Sequence, residues 1–181
     1  GIAPKKIPKV SFMNMSYDYY ISWGPLFSRI LKPYNSKTKF LEFGNTHFLK
    51  RKKKINKVLF IMQPIEYYTN KSNLEALFML ALNLSKKFKK WNFVVREHPD
   101  FGIQNLFNHQ ISLKNKNLII EKFVKKSIYT SLAESKITVG IWSSSLLESL
   151  YYLSIPCVVR FKNNFKYFPD FKKEGIGLVE N

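Results

Sequence analysis

From residue 57 onward, short apolar runs alternate with segments whose apolar residues recur at helical spacing. Lys57–Met62 is a continuous apolar run, typical of a strand buried on both faces of a sheet, and Trp91–Arg96 is predicted to be a second strand. Between them, Ser72–Phe88 has helical spacing, and Ser72 with Glu75 three residues later predicts a capping box at its start. The same pattern predicts strands at 117–121, 136–141, 156–160 and 175–179 and helices at 128–135 and 145–153.

Strands that alternate with helices over short links favour a parallel sheet covered by helices on both faces. We therefore assign residues 51–181 to one α/β domain with a Rossmann-like fold. No helix is predicted after the last strand, so we expect this domain to be truncated. Neither a G-x-G-x-x-G nor a Walker A sequence is present, which leaves the usual dinucleotide binding and P-loop ATPase chemistry unsupported.

The first 50 residues have a separate and less regular pattern. Gly24-Pro25 is a strong turn signal, and a basic run leads into the α/β domain. We assign residues 1–50 to the end of a preceding domain and a linker. The predicted elements are strands at Lys9–Met15, Tyr17–Trp23 and Lys39–Phe43 and a short helix at Leu26–Leu31.

Composition limits the classes of protein to consider. With 181 residues, 45% of them hydrophobic, the chain can bury a core, and no apolar run is long enough to span a membrane. One cysteine, Cys157, and three scattered histidines provide neither a disulfide framework nor the spacing of a metal site. We therefore expect a soluble cytoplasmic protein without a metal or other cofactor.

The net charge of +18 is spread along the chain. Residues 1–56 hold 12 basic and 2 acidic residues, and residues 57–181 hold 18 and 10. Nearly all basic residues are lysine, and asparagine is also abundant. An AT-rich genome would produce this composition without any functional reason for the charge. The alternative is attraction to a nucleotide, an acidic polymer or an anionic membrane at the inner face of the plasma membrane. The densest run, which we interpret as a solvated linker, is Lys50, Arg51, Lys52, Lys53 and Lys54.

In an open parallel sheet, ligands bind beyond the carboxyl ends of the strands. This rule selects Gln63, the segment Arg96–Pro99 and three serines, Ser143, Ser144 and Ser145. The serines stand where a predicted strand turns into a helix. Free backbone N–H groups and three hydroxyls at that point suit a phosphate, whereas simple N-capping explains one serine of the three.

His98 directly precedes Pro99, which biases its backbone to an extended conformation. A histidine presented in this way can donate a hydrogen bond to a phosphate oxygen, although a structural role is the alternative. Of its neighbours Arg96 and Glu97, one is expected to face the ligand and the other to face away, because strand residues alternate.

Glu148 lies three residues after Ser145. This spacing fits two roles equally well: a capping-box partner of Ser145, or a carboxylate that accepts hydrogen bonds from the hydroxyls of a ribose. The other acidic residues form no obvious catalytic pair. Asp18 and Glu42 are interpreted as surface charges. No residue is assigned as a general base.

His98-Pro99, the serine triplet and Leu147-Glu148, on successive strands, resemble the HP and SS motifs of GT-B glycosyltransferases of bacterial surface polysaccharide synthesis. Sialyltransferases and Kdo transferases are the groups they are most similar to. The resemblance implies that His98 and the serines hold the donor phosphate and that Glu148 holds the donor ribose. Together with the rule about strand ends, it gives an expected donor site comprising Gln63, Arg96, His98, Pro99, Ser143, Ser144, Ser145 and Glu148.

Two longer stretches are similar to the same family. Ser135–Val159 has its order of strand, serine loop, helix, proline and strand. Tyr17–Gly24 and Phe40–Asn45 resemble the region where such chains leave the acceptor domain, so residues 1–50 would be the end of that domain and the linker. A complete GT-B enzyme has two such domains and about twice this length. The resemblance therefore implies that this chain binds a nucleotide sugar without turning it over alone.

The function implied is transfer of a sugar from a nucleotide donor, with CMP favoured, to a hydroxyl of a capsule, lipopolysaccharide or other surface glycan. His98, the serine loop and the helix dipole, rather than a metal, would meet the charge on the leaving phosphate. The expected partners are the nucleotide sugar and the glycan acceptor, with peripheral membrane contact through the run at residues 50–54.

Three alternatives remain open. A glycerophosphotransferase shares a similar arrangement but usually has an Asp in the serine loop, where Ile141-Trp142 stands here. A nucleotide-sugar epimerase would have a Gly-Gly pair near its serine, which is missing. A basic nucleic-acid-binding module would explain the charge of +18, but most aromatic residues fall inside apolar runs, where core packing explains them.

Overall fold

A computed structural model describes residues 17–22, 24–34, 37–44, 52–64, 69–103, 115–141, 143–161 and 178–180. The chain divides into two compact units, one of Gly1–Phe48 with Phe165–Glu174 and the other of Leu49–Asn164 with Gly175–Asn181. The predicted strand at Lys9–Met15 lies outside the described residues. No helix of the described part is long and apolar enough to cross a membrane.

The larger unit contains a six-stranded sheet in which every neighbouring pair is parallel. From one edge to the other, its strands are β5 (Leu118–Glu121), β4 (Asn92–Arg96), β3 (Ile55–Ile61), β6 (Ser135–Gly140), β7 (Ile155–Arg160) and β8 (Leu178–Glu180). If these six strands are renumbered 1 to 6 along the chain, their spatial order is 3-2-1-4-5-6, which is the order of doubly wound dinucleotide-binding folds. The predicted Rossmann-like fold is therefore confirmed.

Helices cover both faces of the sheet. Successive residues of β3 point to opposite sides, so neighbouring residues pack against different helices. Phe60 packs in a buried cluster with Phe78 of helix α2 (Lys71–Lys87). Leu59 packs on the other face with Leu132 of helix α3 (Ile128–Glu134). Both faces of β3 are thus buried, which explains why its sequence is a continuous apolar run and does not alternate between apolar and polar residues. The connection from β6 to β7 contains helix α4 (Ser144–Tyr151).

Helix α2 begins two residues earlier than the predicted capping box. Asn70 is its N-cap, and its side-chain Oδ1 accepts a hydrogen bond from the backbone N–H of Asn73 at 2.9 Å. Ser72 therefore lies inside the first turn, and Glu75 pairs instead with Lys71 at 3.9 Å. The predicted capping box is wrong because Asn70, whose backbone is extended, already satisfies the end of the helix.

Alanine substitutions at Asn70 and Ser72 distinguish the observed helix cap from the predicted one. Asn70→Ala is expected to lower the free energy of unfolding by about 1 kcal/mol, since a free N–H at the helix start loses its acceptor. Ser72→Ala is expected to leave it unchanged within about 0.5 kcal/mol. Urea unfolding of both variants measures the difference. Equal losses would contradict the assignment of Asn70 as the cap.

A buried ionic network lies between the sheet and α3. Arg96 of β4 pairs with Glu121 of β5, and its guanidinium also donates to the carbonyl of Lys126 at 2.6 Å. Lys57 of β3, almost fully buried, lies 3.5 Å from Glu134 and 3.9 Å from Glu121. Burial lowers the pKa of the Lys57 ammonium, which the two carboxylates partly oppose. Since each charge has a counter-charge, the network fixes the position of α3 on the sheet.

The run predicted to be a solvated linker is partly structural. Lys50 and Arg51 lie outside the described residues, and Lys53 is exposed. Lys52 pairs with Glu134 at 3.5 Å. Lys54 donates to the carbonyls of Leu132 and Ser135, at 2.9 and 2.7 Å, and burial together with the charge of Lys57 lowers its pKa to about 8. Lys54 thus anchors the end of α3 instead of facing solvent.

The smaller unit pairs two short parallel strands, β1 (Tyr19–Ser22) and β2 (Lys39–Glu42). Between them lie helix α1 (Pro25–Leu31) and a 3-10 turn (Lys32–Tyr34). The buried hydroxyls of Ser22 and Ser28 lie 2.6 Å apart and tie β1 to α1. The predicted strand, turn and helix around Gly24-Pro25 are therefore present.

Candidate functional site

The carboxyl ends of three strands meet at one edge of the sheet. Ile61 at the end of β3 pairs with Arg96 of β4 on one side and with Gly140 of β6 on the other. Beyond the strands, the backbone N–H of Met62 still donates to the carbonyl of Arg96 at 3.0 Å. The residues that follow these strand ends therefore lie at the same edge. The order of the strands reverses between β3 and β6, which is where such sheets bind their ligands.

Gln63 follows β3 at this edge and is only 6% exposed. Its side-chain Oε1 is buried and has no hydrogen-bond partner among the described residues. A buried amide oxygen without a partner is unfavourable by about 1–3 kcal/mol. A ligand that brings a donor, such as a base amine or a sugar hydroxyl, would remove that penalty.

His98 follows β4 in a tight turn, in which the N–H of Phe101 donates to the carbonyl of His98 at 3.1 Å. The backbone N–H of Asp100 donates to the imidazole Nδ1 at 3.2 Å, and the Asp100 carboxylate lies 3.5 Å from the same atom. In the neutral ring Nδ1 is the acceptor, so the proton is on Nε2, and in the cation both nitrogens carry protons. Nε2 is a hydrogen-bond donor in either state.

Arg96 and Glu97 alternate as expected, but both have structural partners. The Arg96 guanidinium belongs to the network beneath α3, where a carboxylate and backbone carbonyls occupy its donors. Glu97 points to the other side, and its Oε1 accepts from the backbone N–H of Ile103 at 3.0 Å. This bond closes the loop that presents His98. The structure thus gives Arg96 a structural role, and we leave it out of the proposed donor site.

The serine triplet begins helix α4. Ser143 is the N-cap, and its Oγ accepts from the N–H of Ser145 at 3.2 Å. Ser144 is exposed at the first helical position. Within the described part of the chain, no hydrogen bond engages the hydroxyls of Ser144 and Ser145. One serine of the three is therefore used for capping, and two hydroxyls remain beside the positive end of the helix dipole.

Glu148 is not the capping-box partner of Ser145. Because Ser143 is the N-cap, the capping-box position falls on Leu146, and Glu148 lies further into the helix. It is only 5% exposed. Burial and the negative charge of Glu148 raise the pKa of Tyr129 in the first turn of α3, so the two groups are close in space. Nothing in the sequence pattern singled out Tyr129.

The structure therefore brings Gln63, His98, the serine triplet and Glu148 to the carboxyl edge. Pro99 is exposed in the turn after His98 and contributes its backbone restraint. The arrangement provides an imidazole donor, a helix N-terminus with hydroxyls, and a buried carboxylate. Among the described residues, no three His, Cys, Asp or Glu side chains are grouped so as to hold a metal ion.

Comparison with known proteins gives a likeness in structure. No protein-family profile matches the chain. No curated protein sequence matches it significantly. Among solved structures, it is similar to a protein described as the glycotransferase of kitacinnamycin, with a TM-score of 0.56 and 14% sequence identity. The match covers 90% of this chain and 42% of that protein, so the chain spans less than half of its length. At this identity the likeness shows a shared fold.

Proposed function

We propose that the carboxyl edge of the sheet binds the nucleotide part of a nucleotide-sugar donor and that the protein takes part in glycosyl transfer. One observation carries the proposal: His98, the serine-rich start of α4 and the buried Glu148 follow strand ends at the same edge of the sheet, where the strand order reverses. A phosphate needs hydrogen-bond donors of the first two kinds, and a ribose needs an acceptor such as a carboxylate. Structural likeness to a glycotransferase supports this reaction class.

The residues would act on the leaving group. When the bond between the sugar carbon and the phosphate oxygen breaks, negative charge develops on the phosphate. His98 Nε2–H and the first N–H groups of α4 would donate to that oxygen, while Gln63 would accept from the base or sugar. The sugar carbon forms its new bond to an acceptor hydroxyl, whose proton leaves to a base that we do not assign. A CMP-linked donor and a surface-glycan acceptor are the finer form of the proposal.

Binding of free nucleotides tests this site. CMP, CDP, UDP and GDP are added separately and the thermal midpoint is measured, because a ligand bound only by the folded state raises it. We expect one nucleotide to raise the midpoint, and His98→Ala and Ser144→Ala each to weaken its binding about tenfold, as expected for the loss of a hydrogen bond to a charged group. Ser72→Ala, an exposed serine in the first turn of α2, is the matched control.

Two results would count against the proposal. If no nucleotide raises the midpoint, the carboxyl edge is not a nucleotide site. If Ser72→Ala weakens binding as much as Ser144→Ala does, the loss is not specific to the start of α4. Steeply salt-dependent binding to single-stranded DNA or RNA, with no effect of nucleotides, would instead favour a nucleic-acid module.

A further inference from the structure

The opposite, amino edge of the same sheet carries a dense group of exposed lysines. Helix α2 ends at this edge, and the segments before β4 and β5 and the start of β6 lie there too. We name the group the basic edge. Its members, all exposed, are Lys86, Lys87, Lys89, Lys90, Lys116 and Lys136.

Contacts between the segments join them into one surface. The side-chain amide of Asn117 donates to the carbonyl of Lys89 at 2.9 Å, which connects the start of β5 to the end of α2. The Lys136 ammonium lies 5.7 Å from the centre of the Trp91 ring and donates to Asn56 Oδ1 at 2.7 Å. Lysines distant in sequence therefore face solvent side by side.

The charge of the basic edge is not compensated within the described part of the chain. No lysine of the basic edge forms an ion pair with a described acidic side chain. In contrast, Lys57 and Lys126 both pair with Glu134 on the neighbouring face. Like charges held together oppose the compact state. An anionic partner would remove that repulsion.

The apolar residues of this edge indicate which kind of partner fits. Phe88 is 45% exposed among the lysines, and Ile55, at the start of β3, is 44% exposed. The ammonium of Lys87 lies over the Phe88 ring at 5.7 Å, as that of Lys136 does over Trp91. An ammonium group already lies against each ring, whereas aromatic residues that bind nucleic acids offer open ring faces on which bases stack. Apolar side chains amid lysines suit the interface of an anionic bilayer.

We propose that the basic edge binds an anionic lipid surface. The proposal does not depend on the proposed function, because β3 separates the two edges by seven residues, or about 20 Å. Bound in this way, the protein would keep its carboxyl edge, with Gln63 and His98, open to solvent. It extends the membrane contact predicted for residues 50–54 to lysines elsewhere in the sequence that only the fold brings together.

Vesicle binding tests the proposal with a pair of variants matched in charge. The chain is titrated with vesicles of phosphatidylcholine alone or mixed with phosphatidylglycerol, at about 0.15 M salt. We expect binding to the mixed vesicles only. Lys89→Gln with Lys90→Gln should weaken it about 25-fold, since each lysine near an anionic surface contributes about a factor of five. Phe88→Ser should weaken it about tenfold if the ring enters the interface.

The control removes the same charge from the carboxyl edge, as Lys122→Gln with Lys125→Gln. These lysines are exposed and follow the carboxyl end of β5, whereas Lys116 precedes its amino end, so binding should stay within about twofold. Equal weakening by both double variants, or no preference for anionic vesicles, would overturn the proposal. So would tighter binding to a single-stranded oligonucleotide that Lys89→Gln with Lys90→Gln abolishes. Nucleotide binding at the carboxyl edge should be unchanged in the variants of Lys89, Lys90 and Phe88.

Discussion

Glu121→Ala is expected to lower the free energy of unfolding by about 3–5 kcal/mol, because it leaves buried positive charge without its carboxylate. Glu121 is the carboxylate partner of Arg96 and also accepts from the Ser131 hydroxyl. The side chains of Arg96 and Lys57 are 8% and 4% exposed, so water cannot replace the lost carboxylate. Urea unfolding followed by circular dichroism measures the loss.

The matched control for this substitution is Glu75→Ala. Glu75 also pairs with a basic residue, Lys71, but both side chains are exposed and the pair lies on one helix surface. Exposed pairs of this kind contribute about 0.3–0.5 kcal/mol, so the control should change stability little. If the two variants lose the same free energy, the network beneath α3 does not hold the helix on the sheet.

Glu148→Ala is expected to weaken nucleotide binding by at least about a hundredfold, the largest effect of any residue at the carboxyl edge. A carboxylate that accepts from two hydroxyls of a ribose contributes two hydrogen bonds to a charged group, each of about 1.5–3 kcal/mol. Calorimetric titration of the nucleotide identified by thermal shift measures the affinity. Because Glu148 is buried, circular dichroism of the variant must first show that it folds.

A comparison of the affinities for a ribonucleotide and for its 2′-deoxy analogue tests whether Glu148 contacts the ribose. The unmodified protein should bind a ribonucleotide at least about tenfold more tightly than its 2′-deoxy analogue, since one hydroxyl is missing from the latter. In Glu148→Ala the two affinities should be nearly equal. A variant that folds, binds weakly and still prefers the ribonucleotide would show that Glu148 acts on the structure of the site and not on the ribose. His98→Ala, by contrast, should keep the preference.

Much of the site could be predicted because its position follows from topology. Parallel strands that read as continuous apolar runs must be buried on both faces, and their carboxyl ends then share one edge. That reasoning selected Gln63, His98 and the serine triplet, and the structure brings them to that edge. Their role in binding a donor stays a prediction. The start of α4 was predicted one residue late, because three consecutive serines are all suitable N-caps.

The sequence by itself determined the α/β class, the parallel sheet and the edge at which ligands are expected, because these depend on local periodicity and on the order of elements. Only the tertiary structure decided which polar side chains have partners within the protein. Arg96 finds Glu121 25 residues away, and Lys54 finds the carbonyl of Leu132 78 residues away. Local pattern holds no information about such contacts. The basic edge depends on the fold for the same reason, since its lysines become neighbours only when α2, β5 and β6 end or begin side by side.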